Sequence, residues 1–133
     1  MGPGGPGGLL GPMLRQLNLT SDQQDRVKQI LDSHRADQQA LGQRAMTAHQ
    51  ALQDAMTSST FDEATIRARA ADVAAVDADA AVAEARLYGE VFQILTPDQQ
   101  AKAQQLQQER AQKRDAFRQK MQELRQQPPQ PKQ

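Results

Sequence analysis

Between Pro12 and Pro128 the chain carries one proline, Pro97, and two glycines, Gly42 and Gly89. Six of its eight glycines lie at or before Gly11. Proline breaks a helix interior and glycine weakens it. A body this free of both, and rich in Ala, Gln, Arg, Glu, Leu and Met, is built for long helices. No alternating apolar and polar run marks a strand. The chain is predicted to be all-α. Its 133 residues suit one domain: a Gly/Pro-rich tail over 1–8, a helical domain over 9–125, and a second tail, QQPPQPKQ, over 126–133.

One phrase, Leu-Thr-x-Asp-Gln-Gln, occurs at 19–24 and again at 95–100. Threonine caps helix N-termini, and Gln three residues later completes a capping box. Thr20 with Gln23, and Thr96 with Gln99, fit that template. Pro97 suits a first helical position, and Asp22 and Asp98 favour the positive end of the helix dipole. A third start lies at SSTFDEATI, with Thr60 or Ser59 as cap and Asp62 and Glu63 in the first turn. Three long helices follow, about Thr20–Met56, Asp62–Ile94 and Pro97–Arg125, after a short one over Leu9–Leu17. Short connections make neighbours antiparallel. Up-down-up order brings both phrases to one end, where Leu19 and Leu95 are expected to pack against other helices.

The apolar faces are thin. The first long helix reads Val27, Ile30, Leu31, His34, Leu41, Ala45, Ala48, Leu52, Met56; the second reads Ile66, Ala70, Val73, Val76, Ala80, Ala83, Leu87, Val91, Ile94. Alanine permits close approach but buries little area. Helices with such faces are expected to dimerise. Charge divides unevenly: residues 60–100 hold eight acids and three arginines, net −5, while 101–133 hold eight bases and three acids, net +5.

Formal charge balances at 16 basic and 16 acidic residues, so net charge gives no argument for nucleic acid. No cysteine is present to form disulfides, thiolate sites or nucleophiles. No apolar run is long enough for membrane insertion. The opening GPGGPGGLLGP does not read as a signal peptide. No Gly-x-x-x-x-Gly-Lys suggests a nucleotide cofactor, and no constellation of acids with Ser or His suggests an enzyme. The two histidines, His34 and His49, stand 15 apart, whereas a helical pair on one ion sits at i, i+4. No metal site is expected within one chain; His34 reads as a partly buried polar residue of the stripe. Met46, Leu52, Met56 and Phe61 cluster in sequence near the turn between the first two long helices. They read either as core or as an adaptable surface for client proteins, methionine being flexible and polarizable.

Leu19-Thr20-Ser21-Asp22-Gln23 and Leu95-Thr96-Pro97-Asp98-Gln99, with STFDEA at 59–64 and VFQILTPDQQ at 91–100, resemble the Spy/CpxP family of bacterial periplasmic proteins and its paired LTxxQ motifs. The resemblance covers about residues 17–110. It implies a long-helix assembly that dimerises into a thin curved cradle, a periplasmic location and a part in the stress response. It also implies ATP-independent chaperoning, with unfolded client proteins bound on the concave face. The same resemblance leaves two other roles open: a regulator docking on the periplasmic domain of an envelope-stress sensor kinase, or a metal sensor.

Overall fold

The computed structural model describes residues 10–127. The tail expected over 1–8, Leu9, and residues 128–133 of the other tail lie outside them. Among the described residues the regular structure is helix alone: α1 (Leu10–Gln16), α2 (Ser21–Met56), α3 (Glu63–Gln93) and α4 (Pro97–Gln126). They fall into two compact units, one running to Leu95 and one starting at Thr96.

The first unit is an antiparallel hairpin of α2 and α3, preceded by α1. Polar rungs fix its direction, because their partners step down α3 as they step up α2. Gln23 Nε2 donates to the Ile94 carbonyl at 3.3 Å, His34 meets Glu90 at 2.6 Å, and Arg44 Nη2 donates to Asp79 at 3.0 Å.

In α2, Val27, Leu31, His34, Gln38, Leu41, Ala45, Ala48, Leu52 and Ala55 are covered in alternating steps of four and three, and Gln23, Ile30 and Ala51 are covered in addition. In α3, Ile66, Arg69, Val73, Val76, Ala83 and Leu87 keep the same rhythm. This is the 3.5-residue period of a coiled-coil seam rather than the 3.6 of a straight helix. The sequence stripe is corrected at three places: Arg69 is half-buried where Ala70 was expected, Ala55 where Met56 was expected, and Ala80, also expected in the stripe, is exposed.

Full burial is confined mostly to one end. Leu10, Met13 and Leu17, then Val27, then Leu87, Val91 and Leu95 are buried, with Val76 further along α3. Tyr88 and Phe92, four apart on α3, stack with centroids 6.0 Å apart. Asn18, with φ 52°, turns the chain out of α1; asparagine tolerates this left-handed conformation, which commonly follows a helix end.

The second unit is built on α4. Pro97 occupies its first turn, where a missing N–H costs nothing. The helix extends one residue past the expected Arg125, to Gln126.

Candidate functional site

Each repeated phrase forms a reciprocal cap. Thr20 Oγ1 accepts from the Gln23 amide at 3.2 Å, and Gln23 Oε1 accepts from the Thr20 amide at 3.0 Å. Thr96 and Gln99 make the same two bonds at 3.2 and 3.0 Å. Gln23 is also 8% exposed and reaches α3 through its Nε2. The first phrase thereby touches the residue that precedes the second. Leu95 is buried and Leu19 half-buried, with the Leu19 carbonyl accepting from Gln24 Nε2 at 3.3 Å.

At the other end of the hairpin the apolar residues face solvent. Met46 is 69% exposed, Met56 60% and Phe61 80%. Leu52 is half-buried in the seam. Within a single chain Leu52 is thus partly covered and the other three are not. Between α2 and α3 runs an open trough lined by Ala48, Ala51 and Val76 together with Arg44, Arg69 and Asp72.

The third helix start differs from the sequence reading. Asp62, rather than Thr60 or Ser59, is the N-cap of α3. Its carboxylate accepts from Thr65 Oγ1 at 2.8 Å and from the Thr65 amide at 3.3 Å. The Thr65 hydroxyl, then its amide, hold the Asp62 carboxyl below its ordinary value of 3.8. A charged oxygen that binds two donors three residues ahead outcompetes a hydroxyl cap.

His34 sits half-buried in the seam against Glu90. Neither Glu90 nor the Arg44–Asp79 pair stood out in sequence. Sliding two antiparallel heptad seams past each other would have placed all four residues in facing positions. Asn18 carried a recognisable signal, an asparagine just beyond a helix end.

The family model for heavy-metal resistance matches residues 1–88. The chain belongs to that family. No curated protein and no solved structure matches it. The matched stretch takes in the first Leu-Thr phrase and the hairpin turn but ends before the second phrase at Leu95. The family description raises the question of a bound metal. Among the described residues no group of three or more His, Cys, Asp or Glu side chains converges. His34 and Glu90 offer two ligands, where zinc-type sites take three or four from the protein. His49 stands 15 residues away on the same helix, about 22 Å along its axis. The described residues do not fit a resident metal within one chain.

Proposed function

We propose that this member of the heavy-metal resistance family is an ATP-independent chaperone of the Spy/CpxP type. It works in the periplasm as a homodimer and holds unfolded or aggregation-prone proteins by binding, not by catalysis. The observation that carries the reading is the exposure of Met46, Met56 and Phe61 towards the turn between α2 and α3. Flexible thioethers adapt to varied sequences, and charges beside them suit segments that are both polar and apolar. Contacts so shallow are weak singly, which leaves a client free to fold while bound. The paired capping boxes, which resemble the two LTxxQ motifs of Spy/CpxP proteins, support the same reading. A protein that protects others from unfolding is compatible with resistance to metals that damage them.

The test is aggregation of a chemically denatured client, without nucleotide. The chain should suppress it. Changing Met46, Met56 and Phe61 together to Ser should abolish suppression with helix content unchanged. Suppression should weaken but persist above about 0.15 M salt, where exposed charge pairs are screened and apolar contacts are not. No suppression at any salt by an intact protein would favour the kinase-docking role.

The family match itself favours a second reading, metal binding. Titration with zinc, copper or nickel decides between them. The chaperone reading expects no stoichiometric site tighter than about micromolar. A tight site lost in His34→Ala would replace it with the metal reading.

A further inference from the structure

The second half of α4 has a pattern that the client-binding reading does not use. Every residue from 112 to 127 is exposed. Phe117, Met121 and Leu124, at 66%, 41% and 53% exposure, lie on one line at i, i+4 and i+7. Between Arg110 and Gln126 there are six bases and two acids. At about 100° per residue, Lys113 and Lys120 fall about 60° to one side of the apolar line. Arg114, Arg118 and Arg125 fall about 50–90° to the other side, and Asp115 and Glu123 lie beyond about 130°.

We propose that this half of α4 is a peripheral attachment site for an anionic lipid surface. Three features select that occupant. The cations form two rows, one on each flank of the apolar line, so both reach headgroups when the helix lies flat in the interface. Their long stems can cross the apolar boundary while their charges stay in water. The acids are turned to the opposite side, away from a negative surface. A single acidic protein groove would ask for cations on one flank, and the two-sided arrangement is that of a helix lying in a bilayer interface. No helix among the described residues is long and apolar enough to cross a membrane, so the attachment is on the bilayer, not through it. Three apolar side chains anchor weakly alone, and about six bases add attraction that falls off within a Debye length. The attachment is therefore reversible and salt-sensitive.

The experiment is co-sedimentation of the full chain with vesicles of phosphatidylglycerol in phosphatidylcholine, and with pure phosphatidylcholine. Partition onto the anionic vesicles should exceed that onto neutral ones by about tenfold or more at low salt, and should fall as salt rises. Lys113→Gln with Arg118→Gln and Lys120→Gln should remove most of that excess. Phe117→Ser with Met121→Ser should weaken retention at every salt concentration. All five positions are exposed, so helix content by circular dichroism should hold, and client suppression should be unaffected. Equal partition onto both vesicle types would overturn the proposal. So would anionic binding that ignores Phe117 and Met121, or capture of polyglutamate in place of vesicles. The last result would make α4 a site for acidic protein instead.

Discussion

Gln23 serves two structures with one side chain. Its Oε1 closes the cap on Thr20 and its Nε2 ties α2 to the end of α3. The cap was legible in sequence because it is a local code, a Thr and a Gln three residues apart. The tie was not, because 71 residues separate Gln23 from Ile94 and only the hairpin register joins them. The two duties can be separated. Gln23→Glu keeps an oxygen for the Thr20 amide but loses the donor to Ile94, and sets a carboxylate against a carbonyl in a buried place. It should cost about 1–3 kcal/mol in urea melts near neutral pH. Thr20→Ala should cost about 0.5–2 kcal/mol, and Thr20→Ser almost nothing. A Gln23→Glu protein as stable as the parent would mean the tie contributes nothing. Asp62 gives a pH signature. Its carboxyl is depressed when folded, mainly by Thr65. The unfolded chain therefore binds the proton more readily. The stabilisation is complete above the ordinary carboxylate value and disappears as pH falls through the folded one. Asp62→Asn still caps but does not titrate. Thermal melts from neutral to acid pH should show the parent losing its margin over Asp62→Asn below pH 3.8. A constant margin would mean the Thr65 bonds do not favour the charged form.

The long helices were readable from proline placement and capping residues alone. The side each one buries was readable only in part. A stripe at straight-helix period drifts by about 20° per heptad against a coiled-coil seam. Over the 31 residues of α3 that drift is enough to exchange Ala70 for Arg69. The exchange matters energetically. Arg69 Nε is shielded from solvent and makes no hydrogen bond, although it pairs at 3.4 Å with Asp72 Oδ2. A shielded donor without a bond costs free energy, and an apolar side chain of similar reach removes that cost. Arg69→Leu should therefore stabilise the hairpin by about 1 kcal/mol, while Ala70→Leu, on the exposed side, should stay within about 0.5 kcal/mol of the parent. Thermal melts of the two variants decide where the seam runs. If Ala70→Leu stabilises and Arg69→Leu does not, the straight-helix stripe is the right one.

At the scale of the whole chain, family membership was only partly legible. The Leu-Thr phrases and the turn between α2 and α3 resembled Spy/CpxP chaperones and stress regulators, with a metal sensor as a rival role, but which activity a thin helical protein performs depends on its exposed faces. Side chains such as Met46 and Met56 can be read from sequence as core or as surface, and packing alone separates the two. The same thinness bears on assembly. In α2 the buried residues are Gln23 and Val27, and in α3 Val76, Leu87 and Val91. Much of each seam is alanine or polar, and half-covered. Helices gain most of their stability in proteins from packing an apolar face, not from intrinsic propensity. A hairpin with so little buried area is short of that stabilisation, while Met46, Met56, Phe61 and Val82 remain in water. A second copy would cover part of this surface. Sedimentation at micromolar concentration should then give about twice the 14.7 kDa chain mass. Because a dimer is favoured by mass action, the melting temperature should rise with protein concentration. A polar residue in a seam restricts alternative pairings at a cost in stability, so Gln38→Leu, which makes the seam more apolar, should raise the melting temperature while loosening the preference for one oligomeric size. A chain that sediments as a monomer and melts cooperatively at a concentration-independent temperature would show that the hairpin is self-sufficient. The exposed methionines and Phe61 would then all be left free for other partners.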